Sequence, residues 1–291
     1  MIRALLSLTR PANLVTAIAD VLAGVAIAGY FIIPNPPPAP VGWLSLATVC
    51  LYGGGVVFND VFDAELDATE RPERPIPSGV VSKSVATLLG SLLLVLGIGT
   101  SFVVNQTAGS LAIGIAVASL MYDRFGKHHN WLGPVNMGLC RGLNLLLGIS
   151  ILPEQVLPWI WVGLIPIIYI AAITMISRGE VHGGNPAILR VAGLLYALVI
   201  GCVAALAQRQ QQLGTAFPFL LIFGYFIFPP LWRAVKEPIG RNIGLAVKAG
   251  VLSLIVMNAA WVAAFASFPL ALLVCCLLPL SRLLARVFAV T

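Results

Sequence analysis

Charge is the scarcest resource in this chain. Only 10% of its 291 residues are charged, where a soluble domain carries about 25%. A soluble globular fold is thereby excluded, because too little polar surface exists to cover one. No stretch is polar enough for a separate soluble domain, so residues 1–291 are expected to form a single membrane domain. Histidine is rarer still, with three copies, and the five cysteines (Cys50, Cys140, Cys202, Cys275, Cys276) lie in apolar runs without metal-ligand spacing. Ordinary packing accounts for them. No short repeat is evident, and the first apolar run has no convincing cleavage site, so it reads as retained.

What the chain has in quantity is oil. It is 59% hydrophobic, with a mean hydropathy of +0.97. Runs long enough to cross a bilayer as helices fall at about 12–33, 41–62, 84–104, 107–122, 131–152, 157–177, 187–207, 216–235, 245–266 and 268–288. The last is broken by Pro279 and Arg282. The expected fold class is an all-α polytopic membrane protein. Arg3, Arg10, Arg71, Arg74, Lys83, Arg124, Lys127, Arg178, Arg190, Arg233, Lys236, Arg241, Lys248, Arg282 and Arg286 flank one set of loops and the two termini, whereas the opposite loops carry only Arg209. That asymmetry predicts a cytoplasmic N-terminus and cytoplasmic even-numbered loops. It explains the net charge of +6 without nucleic acid. The expected setting is a bacterial inner membrane.

One stretch breaks the apolar pattern. FNDVFDAELDATERPERPIPSG, residues 58–79, gathers six of the eleven acidic residues within fourteen positions. If the second span continues as a helix through residue 67, Asn59, Asp63, Asp67 and Asp60 fall at roughly 0°, 40°, 80° and 100° on the wheel, and Glu65 points nearly opposite. Three carboxylates on one face repel unless a cation or a basic partner sits among them. Hard oxygen donors of this kind suit Mg²⁺ held together with substrate phosphates. The alternative is a solvated helix end that merely marks the membrane boundary. Arg71 and Arg74 follow in RPERP, and guanidinium forks match phosphate oxygens. Deeper in the chain, Arg141 lies about ten residues inside the fifth span, where an ionisable residue is costly and a functional suspect. Its other reading is a structural ion pair with a buried acid such as Asp20.

NDVFDAELDATERPERPIPSG resembles the first aspartate-rich motif of the UbiA superfamily of intramembrane prenyltransferases, NDxxDxxxD followed by RPxRPxxSG. LTRPANLVTAIADVLAGVAIAG (8–29), YDRFGK (122–127) and LGPVNMGLCRGLNLLLG (132–148) are similar to the family's first helix, its tyrosine-to-lysine stretch and its fifth helix. The resemblance implies nine transmembrane helices around a lipid-accessible cavity, so that the tenth run is either an addition or a sign that one of the ten runs is not a span. It also implies Mg²⁺-dependent transfer of a prenyl group from a prenyl diphosphate to an acceptor, often aromatic. On that basis Asn59, Asp60, Asp63 and Asp67 hold metal and diphosphate, while Arg71, Arg74 and Lys127 contact the phosphates. Asp60, Asp63, Asp67, Lys127 and Arg141 are the expected catalytic set, and Asn13, Asn136 and Asn144 the expected acceptor pocket.

The family's second motif, DxxxD, has a changed counterpart in TMISRGEVHGGN, residues 174–185. Glu180 takes the first acidic position and Gly184 the second, with His182 between. SRGEVHGGN resembles a divergent UbiA-like subgroup associated with ebo gene clusters. Glu180 is the expected metal ligand there, with His182 and Asn185 as further candidates, although histidine favours softer metals than Mg²⁺. Alternatively, Ser177, Arg178 and Arg190 bind phosphate directly, or the loop has lost its role. Gly179, Gly183 and Gly184 would let backbone approach a ligand. Adjacent His128 and His129 point about 100° apart on a helix, which suits interfacial residues better than a metal pair. Two other functions use the same parts: a non-catalytic binder or transporter of an isoprenoid or small amphipathic molecule, and an intramembrane terpene cyclase. Oligomeric state, donor length and acceptor identity have no sequence signal.

Overall fold

The computed structural model describes residues 2–126, 129, 132–180 and 183–288. Among them every regular element is helical, and helices occur at all ten expected runs. A short α1 (Ile2–Leu8) leads at a 46° bend into α2 (Pro11–Ile27). The helix α2 stops six residues short of the expected end, tightening through the 3₁₀ turn Tyr30–Ile32 ahead of the proline-rich loop. Next come α3 (Ala39–Phe62), α4 (Ala64–Glu70), α5 (Lys83–Val104) and α6 (Gln106–Met121), with a π-helical turn at Tyr122–Gly126. The helix α7 (Leu132–Ile149) precedes α8 (Pro153–Trp159), which passes through the 3₁₀ turn Ile160–Gly163 into α9 (Leu164–Ser177). The second half contains α10 (Pro186–Arg209), α11 (Leu213–Lys236) and α12 (Gly240–Phe265). The tenth run forms two helices, α13 (Phe268–Cys275) and α14 (Leu277–Val287).

Seven of these segments are long and apolar enough to cross a membrane, or eight if bent α1–α2 counts as one span. The exceptions are informative. At 17 and 16 residues, α2 and α6 are short of the about 20 that a bilayer needs. The helix α7 is diluted by Asn136, Arg141 and Asn144.

Helix neighbours define two rings that share α2 and α7. One runs α2–α3–α5–α6–α7, the other α2–α7–α9–α10–α11–α12. The shared pair meets backbone to backbone. A Cβ on Gly24 would lie 2.2 Å from the Leu145 carbonyl oxygen, and one on Gly148 would lie 2.2 Å from that of Val21. Small residues permit such an approach where dispersion and interhelical hydrogen bonds, not water exclusion, hold helices together. This approach brings the polar side chains of α2 and α7 within reach of one another.

The chain's end returns to its beginning. Ser281 Oγ of α14 donates to the Ala12 carbonyl at 2.9 Å, and the Arg282 guanidinium stands 5.0 Å above the Phe226 ring.

Candidate functional site

The helix α3 ends at Phe62, yet its hydrogen-bond ladder hardly breaks. Asp63 N–H donates to the Asn59 carbonyl at 3.0 Å, and Asp67 N–H to the Asp63 carbonyl at 2.8 Å. The register assumed for the helical wheel is therefore kept across the junction into α4. Asn59, Asp63 and Asp67 line a cavity of about 450 Å³, and Glu65 is exposed. Asp60, 6% exposed, departs from the expectation of a direct ligand. It lies outside the lining, at 2.9 Å from Arg10 Nη2 and 3.4 Å from Arg74 Nη1. Arg74 also donates to Asp67 at 2.7 Å. The cations among the carboxylates are thus guanidinium groups, and the arginines need acidic partners because they too are largely withdrawn from water.

Arg10 was expected only as a marker of membrane orientation. It lines the cavity from the bend between α1 and α2, in a left-handed backbone conformation (φ 47°) ahead of Pro11. Non-glycine residues adopt that region rarely and at some energetic cost, often near functional sites. Asp123, in the π-helical turn, lines the same cavity and accepts from Asn59 Nδ2 at 2.8 Å.

The last residue of α9, Ser177, and Glu180 of the loop that follows contribute to the wall. Burial pushes the Glu180 carboxyl above its ordinary range, and nearby Arg71 pulls it partly back. Arg71 is itself a lining residue. Thr174, at the start of the altered motif, lines the cavity as well, whereas several of its other described residues and Arg190 do not. Asn185 is exposed and caps α10, accepting from Ala187 N–H at 2.8 Å. Arg178 is exposed and donates toward the His129 carbonyl at 3.4 Å. Exposed Arg190 stands on α10 and is not part of the lining. The glycines fold the loop upon itself instead of clearing a path to a ligand. A Cβ on Gly179 would meet Gly184 Cα at 2.8 Å, and Gly184 N–H donates to the Pro238 carbonyl at 2.9 Å.

Below the acidic end, four helices join in one polar network. Asp20 of α2, 1% exposed, accepts from Arg141 Nη1 of α7, from Asn144 Nδ2 at 3.2 Å and from Asn258 Nδ2 of α12 at 2.7 Å. Arg141 Nη2 donates to Thr16 at 2.7 Å, and its guanidinium sits 4.9 Å above the Tyr52 ring of α3. Thr48 donates to Asn144 Oδ1 at 2.7 Å. The ion-pair reading of Arg141 describes this geometry, while Arg141, Asn144, Thr48 and Tyr52 also line the cavity. Asn13 is a lining residue as well. Asn136 is not; in its satisfied amide orientation it donates to the Ala118 carbonyl and accepts from Tyr122 N–H, tying α7 to the end of α6.

Three expected residues, Lys127, His128 and His182, lie outside the described residues. Tyr52, Thr48 and Asn258 were not anticipated. A lone Asn in the apolar run of α12 was a usable signal; a Tyr or Thr in α3 was not.

Oxygen donors predominate on the polar wall, which fits Mg²⁺. Among the described residues, however, no three His, Cys, Asp or Glu side chains already converge on one point.

The UbiA prenyltransferase family model matches residues 21–238. A digeranylgeranylglyceryl phosphate synthase from Ignicoccus hospitalis is 30% identical over 248 residues, 77% of this chain and 78% of that one. The synthase of the same name from Methanopyrus kandleri is 34% identical over 163 residues, 56% of this chain. That alignment spans only 58% of the Methanopyrus protein. In fold, the chain is similar to a UbiA homologue from Archaeoglobus fulgidus bound to GPP and Mg²⁺, with a TM-score of 0.63 at 16% identity. The similarity covers 86% of this chain and 99% of that one. With the motif, the fold and these matches in agreement, the chain belongs to the UbiA prenyltransferase family.

Proposed function

We propose that this protein binds a prenyl diphosphate at the acidic end of the cavity and transfers the prenyl group to a second molecule within the membrane. One observation carries the reading. Asn59, Asp63, Asp67, Arg71 and Arg74 meet Glu180 at one end of a cavity whose wall also carries an apolar surface formed by Leu51, Ile115, Ile170, Ile173 and Leu254. A charged mouth joined to an oily interior matches an amphipathic diphosphate better than either a free ion or a plain lipid.

Mg²⁺, bound by Asp63 and Asp67 with Asn59 and Glu180, would neutralise charge on the diphosphate as it leaves. Arg71 and Arg74 present guanidinium forks to the phosphate oxygens, and Asp60 positions Arg74 and Arg10 from behind. Loss of diphosphate from the allylic carbon breaks its C–O bond, and the electron pair leaves with the phosphate oxygen. The apolar wall keeps water from the resulting cation until the acceptor attacks. Lys127 would add another phosphate contact by family resemblance. The loops carrying these residues would face the cytoplasm. The relatives named above are archaeal, so the bacterial membrane expected from the sequence has no support from them.

The test is diphosphate release by the purified protein in lipid, across prenyl diphosphates of several lengths, with and without Mg²⁺. Release that requires both Mg²⁺ and Asp63, lost in Asp63→Asn, supports the proposal. Tight binding without release would replace it with a binding or transport role. Release with a product formed in the absence of any acceptor would point to cyclisation.

A further inference from the structure

The cavity has a second polar region that the diphosphate does not explain. Along α3, Tyr52 lies about 10 Å and Thr48 about 16 Å deeper than Asn59, at 1.5 Å per residue. The Arg141–Asn144 wall surrounds that depth, so the phosphate-binding end and this wall are separate features of one cavity. A prenyl tail alone would cover the wall with hydrocarbon. Arg141 has five N–H donors; Asp20, Thr16 and the Tyr52 face engage part of that set. Donors sealed against hydrocarbon without a partner are costly.

The charge of the wall is as informative as its polarity. Arg141 is matched by Asp20, and Asp20 takes two further hydrogen bonds from neutral amides, Asn144 and Asn258. The network is therefore electrically neutral while still presenting hydroxyl, amide and guanidinium groups to the cavity. A carboxylate or phosphate entering here would bring at least one uncompensated negative charge into a low-dielectric interior, which is far more costly than bringing a neutral oxygen.

We infer that the Arg141–Tyr52–Thr48–Asn144 wall is the subsite for the acceptor's far end, and that it selects a neutral hydroxyl or carbonyl oxygen over an anionic group. The inference rests on the prenyl-diphosphate reading above and adds the acceptor's chemistry to it. The acceptor is then a small amphipathic molecule whose reacting atom faces the diphosphate and whose neutral polar handle reaches down to α3 and α7. Arg141 acts as a binding group held in place by Asp20, Thr16 and the ring of Tyr52.

The experiment uses the full chain in lipid nanodiscs, with Mg²⁺ and the non-cleavable geranyl S-thiolodiphosphate. Two probes of matched shape report on the wall: 4-hydroxyphenethyl alcohol, which is neutral, and 4-hydroxyphenylacetate, which is anionic. The alcohol is expected to bind at least about tenfold more tightly than the acid, the scale of one missing partner or one uncompensated charge. Tyr52→Phe combined with Thr48→Val, which leaves the ion pair untouched, should weaken the alcohol about tenfold more than it weakens the thiolodiphosphate. The inference is overturned if the acid binds as tightly as the alcohol. It is also overturned if the variant weakens both ligands equally, or if a protein that binds the thiolodiphosphate binds neither probe. Failure to bind the thiolodiphosphate itself counts against the parent reading, so the two failures are distinct. Unfolding midpoints of the variant, unchanged from the parent, show that the wall and not the fold was altered.

Discussion

Two groups of helices in this molecule obey different rules. The helices α5, α10 and α11 and the α13–α14 pair meet the length and hydropathy of a membrane span, and 17–28% of each most apolar stretch is buried. None of them lines the cavity. By contrast, α2, α6 and α7 each fall short of a span on their own, yet all three line it. Lipid-facing helices need apolar residues all around, whereas helices at the centre can carry polar groups that find partners within the bundle. Here a short helix, or one interrupted by polar residues, lies at the cavity.

The strongest way to break this contrast is to strand one charge at the centre. Arg141→Met alone leaves the Asp20 carboxylate buried without its cation and should cost about 3–5 kcal/mol, read as a large fall in the unfolding midpoint in detergent. Asp20→Asn together with Arg141→Gln should recover most of that loss. If the double variant is as unstable as the single one, the network is held by shape rather than by charge balance.

Packing gives the next contrast. Gly148→Val forces side-chain atoms into the α2 backbone, and overpacking of this kind costs about 1–3 kcal/mol. Gly201 of α10, around which a Cβ would meet nothing within 4 Å, should accept Ala with no loss. Equal midpoints for the two variants would show that α2 and α7 can separate freely.

At the acidic end, Arg74→Ala should weaken prenyl diphosphate binding by about tenfold or more, since charge-assisted contacts are the strong ones. Unchanged diphosphate affinity would place the ligand elsewhere.

The smallest effect concerns Glu180. Its folded pKa is raised above the ordinary 4.5, so the folded protein holds this proton more tightly than the unfolded chain. That contribution is complete below pH 4.5 and is lost as pH rises through the folded value. Without Mg²⁺, Glu180→Gln should therefore raise the unfolding midpoint relative to the parent at about pH 8 but not at about pH 4. A gain of equal size at both values would assign the effect to packing.

These contrasts also show what could be read from the chain. The acidic face was legible because α3 and α4 keep one helical register, and a period of 3.6 turns spacing into direction. The retreat of Asp60 was not legible: it depends on Arg10, fifty residues earlier, reaching over from a bend whose backbone conformation no residue type announces. Arg141 was flagged by its cost in a membrane, and Asp20 was named as its partner, but Asn258 closes the network from 238 residues away. The glycines of the altered motif misled because freedom to approach a ligand and freedom to fold upon a neighbouring loop look the same in sequence. Asn136 and Asn185 misled similarly, since an amide serves backbone as readily as substrate.

Ser281 and Ala12 are 269 positions apart, and a ribosome adds about 5–20 residues each second. The first turn of α2, beside the Arg10 bend, must therefore wait many seconds in the membrane before its last neighbour is made. Through most of the chain's synthesis that corner of α2 stands without α14, although α14 itself adds no residue to the cavity lining.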